Sequence, residues 1–194
     1  VLPSFDRTGP VATRTAPISS VQQTLETEPQ YIDAPLSIAA TFLVLAVKDD
    51  DASLAKARSV LGSTDDLIKN ITIRDISNTF TCNVGIASRV WGPLTGKPAP
   101  RELAPFKEIR GARHTAVSTP GDLLYHIRAR SVDLIVEFEK LLLEAFDDAV
   151  VTVDEVAGFR YFDGRDLLEF VDGTAHPDGL SLPEATLVGD EDPD

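Results

Sequence analysis

The residues best suited to chemistry lie in one stretch near the carboxyl end, where aspartates alternate with glycines. This stretch, GFRYFDGRDLLEFVDGTAHPDG, covers residues 158–179. Its Asp-Gly pairs are typical of tight turns. Within it, Asp172 follows the apolar pair Phe170 and Val171 and precedes Gly173. An aspartate held against apolar side chains has a raised pKa, because its charged form is disfavoured there, and this suits proton transfer.

A cation site is a second interpretation of the same aspartates, because oxygen ligands on flexible loops suit calcium. Asp190, Asp192 and Asp194 resemble the first ligands of a calcium loop. Pro193 interrupts that pattern, and the spacing of residues 158–179 matches no calcium loop. Calcium binding is therefore the weakest of the functions considered.

The three histidines are candidates of unequal strength. His126 lies in the middle of a strand pattern, which favours a packed, hydrogen-bonded structural role. His114 lies in a long loop, which favours exposure to solvent. His176 is the histidine near Asp172, so it is kept as a candidate site residue.

Composition excludes several functional classes. Lys and Arg number 18 against 31 Asp and Glu, which gives a formal net charge of −13 at pH 7. Such a surface repels phosphate backbones and anionic headgroups, so we expect neither nucleic-acid nor membrane partners. The one cysteine, Cys82, excludes an internal disulfide and a cysteine-based zinc cluster, and it favours a reducing, cytoplasmic location. The sequence has no G-x-S-x-G, H-E-x-x-H or G-x-G-x-x-G motif.

Hydrophobic patterning predicts a ferredoxin-like domain that would position these residues. Alternation and apolar runs predict four strands, and helical spacing predicts two helices. The order is strand, helix, strand, strand, helix, strand, which is the split βαβ plan of an α+β fold with two helices on one face of an antiparallel sheet. The predicted strands are 38–47, 79–86, 123–128 and 150–156; the helices are 54–71, with a break near Gly62, and 131–145; residues 88–120 form a long loop.

The motif around Asp172 resembles a known family. Residues 169–177, EFVDGTAHP, are similar to the distal-haem loop of the dye-decolourising peroxidases, whose G-x-x-D-G motif often continues as T-x-N-P. The stretches GFRYFDGRDLL, DLLYHIRARS and GDEDPD also look like the bacterial branch of that family. The resemblance implies two ferredoxin-like halves around haem b, with hydrogen peroxide and small aromatic reductants as substrates.

The resemblance also implies roles for residues. Asp172 would be the catalytic acid–base group, taking a proton from the inner oxygen of peroxide and returning it to the outer one. The surrounding loop would contact haem through Phe170, Val171, Gly173, Thr174, Ala175 and His176. The family's axial histidine and distal arginine lie in its second half, and no residue of this chain matches either, so no metal ligand is assigned.

The domain organisation follows from these observations. Residues 1–37 are predicted to be an extended proline-rich arm, residues 38–160 the ferredoxin-like domain, and residues 161–194 the distal-haem loop and the start of the connection to a second half. The chain is thus expected to be the amino-terminal half of a peroxidase, inactive without the other half. Its exposed sheet face and its arm favour a homo-oligomer.

Two departures from the family motif carry expectations. Glu169 stands where the motif begins with glycine, so we expect strain there if the position requires a positive φ. His176 stands where the family commonly has asparagine, which would alter a hydrogen bond. The alternative to a peroxidase is a haem-free ferredoxin-like module for binding or dimerisation.

Overall fold

A four-stranded antiparallel sheet forms the centre of the protein. The structure, a computed structural model, describes residues 30–74, 79–171, 173, 176–177 and 179–187. The strands lie in the order β2-β5-β1-β6, and every neighbouring pair is antiparallel. Their bounds are β1 Ala39–Val47, β2 Thr81–Ile86, β5 Leu123–Ala129 and β6 Val150–Phe159; a small separate hairpin pairs β3 Ile109–Arg110 with β4 Thr115–Ala116.

Two long helices cover one face of this sheet. These are α1 (Asp51–Thr72) and α3 (Val132–Phe146), and both contribute to a single apolar core with the strands. The shorter helices are α2 (Ser88–Thr95) and α4 (Leu182–Thr186). This arrangement confirms the predicted ferredoxin-like fold. None of the helices within the described residues is long and apolar enough to cross a membrane.

Helix α1 runs without interruption through Gly62, so the predicted break there is wrong. A β-carbon at Gly62 would meet nothing within 4 Å, which places this glycine on the open side of the helix. Glycine at such a position costs about 1 kcal/mol of helix propensity. The packing of Ala57, Val60 and Ile71 in the core outweighs that cost. The helix is capped at its amino-terminal end by Asp50, whose carboxylate accepts a hydrogen bond from the Ser53 amide at 2.9 Å.

The predicted loop 88–120 is also partly wrong, because it begins with helix α2. Pro93 lies inside this helix, and its presence argued against a helix in the sequence. Val90 and Leu94 are nevertheless buried, and their packing against the core holds the turns around the proline. The rest of the connection is exposed and includes the hairpin, with His114 at its turn as expected.

The other face of the sheet carries no helix in the described part of the chain. Alternation along β1 and β5 buries Leu43 and Tyr125 beneath the helices. It turns Phe42 and Leu124 outward, and these are 42% and 40% exposed. We call this surface the open face; it comprises Thr81, Asn83 and Gly85 of β2, Leu124, His126 and Arg128 of β5, Ala40, Phe42 and Val44 of β1, and Asp154, Val156 and Gly158 of β6.

Candidate functional site

A cavity of about 460 Å³ lies at one end of the open face. It is bounded by the start of β1, the end of β6 and the loop that follows β6. Apolar side chains of Leu36, Ile38 and Phe159 contribute to its lining, together with His126 and Arg128 from β5. A volume of this size, mostly apolar with a few polar groups, is typical of sites for small molecules and cofactors.

His126 forms part of the cavity lining in a fixed orientation. Its ring stacks on Phe42, with centroids 4.3 Å apart and an interplanar angle of 13°. Burial lowers the pKa of His126 below its ordinary value, and the charge of Arg128 lowers it further. The ring is therefore mainly neutral at pH 7. The structure places this histidine on the open face, half-buried, where we had expected a packed structural residue.

Arg128 is held by the segment that precedes β1. Its guanidinium donates hydrogen bonds to the carbonyl oxygens of Ala34 at 3.2 Å and Tyr31 at 3.3 Å. It also donates to Oδ1 of Asn83 at 3.0 Å. These bonds fasten residues 31–34 across the end of the open face. Arg128 is thus a structural part of the cavity lining, and both of its terminal nitrogens already donate hydrogen bonds to protein oxygens.

Arg160 is the cation most available to a ligand in this cavity. Its side chain lines the cavity and forms no ion pair with any described residue. The guanidinium lies against Gly164, whose φ is +94°. A β-carbon at Gly164 would be only 3.4 Å from the nearer terminal nitrogen of Arg160. The glycine therefore leaves room for a positive group that suits a ligand carboxylate.

The loop after β6 is fastened by Arg165. Its guanidinium makes a two-pronged ion pair with Asp163, at 2.8 and 3.3 Å, and donates to the carbonyl oxygen of Glu169 at 2.9 Å. The backbone of Arg165 also forms an isolated antiparallel bridge with Val171. The loop thus folds back on itself, and Val171 returns to the cavity.

The residues predicted to contact a cofactor are distributed as follows. Val171, Gly173 and His176 line the cavity. Phe170 is 67% exposed and is not among the lining residues. Asp172, Thr174 and Ala175 lie outside the described residues, as do the aspartates at 178, 190, 192 and 194.

Sequence reasoning missed the basic residues of the cavity. His126 and Arg128 alternate with the buried Tyr125 and Ile127, so the strand pattern already placed them on the opposite face. Nothing in that pattern showed that this face meets the loop after β6. Arg160 could be recognised only once the end of β6 was known to lie beside β1, where the Arg160 amide donates to the carbonyl of Ile38 at 2.8 Å.

Glu169 has a φ of +73°, which confirms the strain expected at the position of the motif's leading glycine. A left-handed conformation costs a residue with a β-carbon roughly 1–2 kcal/mol, and glycine avoids this cost. We expect Glu169→Gly to raise the free energy of unfolding by about 1 kcal/mol. Chemical denaturation measures this, with Glu102→Gly in another exposed loop as the control. Equal effects of the two substitutions would contradict the strain at Glu169.

Other chemistry has little support in the described part of the chain. No group of three or more His, Cys, Asp or Glu residues there is arranged to hold a metal ion. Burial raises the pKa of the Cys82 thiol to about 12, so this group stays protonated near neutral pH. A protonated thiol is a poor nucleophile. The cavity is thus the strongest candidate site among the described residues.

Comparisons with known proteins point to one family. The family model described as Dyp-type peroxidase, N-terminal, matches residues 29–160. A dye-decolorizing peroxidase of Mycolicibacterium paratuberculosis is 48% identical over 167 residues, which are 86% of this chain and 47% of that protein. One from Mycobacterium tuberculosis is 47% identical over 84% of this chain and 48% of its own length. The chain spans about half the length of these curated relatives.

Solved structures agree with this similarity. DyPB from Rhodococcus jostii superposes with a TM-score of 0.80 at 41% identity, over 86% of this chain and 53% of that one. A variant of that protein solved in complex with heme matches with the same TM-score of 0.80 and the same 41% identity, over 86% of this chain and 54% of that one. The encapsulated DyP-type peroxidase of Mycobacterium smegmatis gives 0.79 at 45% identity, over 85% and 53% of the two chains.

Proposed function

Since this chain belongs to the Dyp-type peroxidase family, we propose that it forms the distal wall of a haem peroxidase that reduces hydrogen peroxide. The observation that carries this proposal is the cavity. Three residues of the motif, Val171, Gly173 and His176, line it. A structure of a relative in complex with heme supports haem b as the cofactor.

The lining of the cavity fits haem. Leu36 and Ile38 offer apolar contact to a porphyrin, and Arg160 offers a positive charge to one of its carboxylates. Gly173, with a φ of +74°, has no side chain that would fill the space beside the His176 ring. When bound, haem supplies the iron at which peroxide is reduced and through which electrons leave the reductant. We assign no axial ligand within this chain.

The role that we propose for Asp172 is proton transfer. In its ionised form the carboxylate would accept the proton of the inner peroxide oxygen and then donate it to the outer oxygen. The O–O bond would break heterolytically, so that the outer oxygen leaves as water, and the two electrons that reduce the peroxide would come from the bound haem. A carboxylate can do this at mildly acidic pH, because an ordinary aspartate is ionised above a pH of about 4. In the sequence, Asp172 stands between Val171 and Gly173, and both of these neighbours line the cavity.

The partners that we propose follow from the family and from the surface. Hydrogen peroxide and small aromatic reductants, such as dyes and phenols, are the proposed substrates. The exposed Phe42, Leu124 and Val156 leave apolar area on the open face, which we propose is covered in the assembled protein by a second ferredoxin-like half. We further propose a homo-oligomer in the cytoplasm.

Filling the cavity tests whether it holds haem. Ala40 lines the cavity from the open face, so Ala40→Trp should lower the haem content of the purified protein at least tenfold. Ala46→Trp is the matched control, because Ala46 lies on the same strand and face but outside the cavity lining. The measurement is the ratio of Soret absorbance to protein absorbance, in the protein as its gene encodes it. Equal haem content in both variants would contradict the proposed site.

A further inference from the structure

Asp166 organises the loop that leads into Asp172. Its Oδ1 accepts hydrogen bonds from the amides of Leu168 at 2.8 Å and Phe170 at 3.0 Å. Its own amide donates to the carbonyl oxygen of Phe170 at 2.9 Å, and its carbonyl accepts from the Glu169 amide at 3.1 Å. One half-buried residue thus makes four bonds to the three residues before Val171.

Apolar packing does not hold this loop within the described part of the chain. The side chains of Leu167, Leu168 and Phe170 are 76%, 77% and 67% exposed. The positive φ of Glu169 works against the observed conformation. The polar contacts of Arg165 and Asp166 must therefore offset the strain at Glu169.

We propose that Asp166 is a positioning residue, whose carboxylate fixes the backbone of residues 168–170 and thereby the segment from which the chain continues through Val171 to Asp172. This inference rests on the proposed role of Asp172 as the acid–base group. Asp166 itself does not line the cavity, and Oδ1 is already occupied by two amides. Its role is therefore to hold the backbone of residues 168–170, which requires a hydrogen-bond acceptor but no negative charge.

That distinction predicts opposite results for two substitutions. Asp166→Asn keeps an oxygen in the place of Oδ1, so both amides keep their acceptor. Asp166→Ala removes it and frees residues 168–170. We expect Asp166→Ala to lower kcat/KM for peroxide about tenfold, because misplacement of a reacting group by 1 Å costs up to roughly 10²-fold. The asparagine variant should stay within about twofold of the unchanged protein.

The experiment is a double-mutant cycle on the haem-loaded protein as its gene encodes it. Rapid mixing with hydrogen peroxide gives the second-order rate constant for the unchanged protein, Asp166→Ala, Asp172→Asn and the double variant. If Asp166 acts through Asp172, the alanine substitution has no further effect once Asp172 is already asparagine. Hydrogen exchange of the Leu168 and Phe170 amides should show lost protection in Asp166→Ala and retained protection in Asp166→Asn.

Each contrary result overturns a specific statement. Equal losses in Asp166→Asn and Asp166→Ala would mean that the charge matters, and would contradict a positioning role. Additive effects in the cycle would mean that Asp166 acts independently of Asp172. If Asp172→Asn alone leaves the rate constant unchanged, the proposed acid–base function fails, and the positioning role fails with it. Asp148→Ala is the control for the loss of a carboxylate, because Asp148 is exposed and does not line the cavity.

Discussion

Asp172→Asn is expected to lower kcat/KM for hydrogen peroxide roughly 10²-fold or more in the haem-loaded protein. The amide has nearly the shape of the carboxylate but cannot accept the proton from the inner peroxide oxygen. Haem content should be unchanged, because the proposed role involves no bond to iron. Rapid mixing with peroxide measures the rate constant, and the Soret absorbance measures the haem content.

The pH dependence gives this prediction a second, independent readout. In the unchanged protein the rate constant should fall as the pH drops through the pKa of the carboxyl, since only the ionised form accepts a proton. The Asp172→Asn variant should lack this acidic limb. Asp148→Asn is the matched control, because its side chain is 90% exposed at the turn before β6. A rate constant in Asp172→Asn equal to that of this control would contradict the acid–base role.

Asp122→Ala is expected to lower the free energy of unfolding by about 3 kcal/mol. The Asp122 side chain is 6% exposed. Its carboxylate accepts hydrogen bonds from the amide of Val47 and from Nε of Arg89, both at 2.8 Å, and is also in contact with a terminal nitrogen of Arg89. The substitution would leave the buried Val47 amide without its acceptor. It would also remove the carboxylate that links the end of β1 to Arg89 at the start of α2.

A surface ion pair provides the comparison for Asp122. Asp148 pairs with Lys48 at 3.6 Å, and the side chains are 90% and 44% exposed, respectively. Such pairs contribute about 0–1 kcal/mol, so Asp148→Ala should be nearly neutral. Urea denaturation of both variants measures the difference. If Asp122→Ala lowers the free energy of unfolding no more than Asp148→Ala does, the contacts of Asp122 do not stabilise the packing of β1 against the start of α2.

Much of the fold could be predicted because local patterning and tertiary packing agree. In β5, Leu123, Tyr125 and Ile127 alternate with Leu124, His126 and Arg128, which matches a strand with one buried face. In α3, the apolar stripe that includes Ile135, Phe138 and Leu142 is the stripe that is buried. The order of these elements was then sufficient to predict the ferredoxin-like sheet.

The errors in the fold occurred where tertiary packing overrides local propensity. Glycine and proline are the residues that most disfavour a helix, so the sequence predicts a break near Gly62 and a loop where Pro93 lies. Helix α1 continues because its buried face is long enough to outweigh one exposed glycine. Helix α2 forms because Val90 and Leu94 are buried on either side of the proline. The sequence alone does not show how much of a helix is buried against the core, and so it does not show whether packing outweighs a glycine or a proline.

The candidate site was only partly predictable, because it is assembled from distant parts of the chain. The motif around Asp172 and the strain at Glu169 could be found from a local stretch of sequence. Arg128 and Arg160 could not, because their relation to that stretch depends on β1 lying between β5 and β6. The contacts of Asp166 depend on a loop without regular structure, for which periodicity carries no signal.

The most direct test of the proposed peroxidase function is the oxidation of an aromatic dye by hydrogen peroxide. The protein is purified as its gene encodes it, and haem-loaded and haem-free samples are compared at mildly acidic pH. We predict turnover that requires both haem and peroxide and that falls sharply in Asp172→Asn. Absence of haem binding, or haem-loaded protein that turns over no dye, would contradict the peroxidase account and would favour a haem-free ferredoxin-like module.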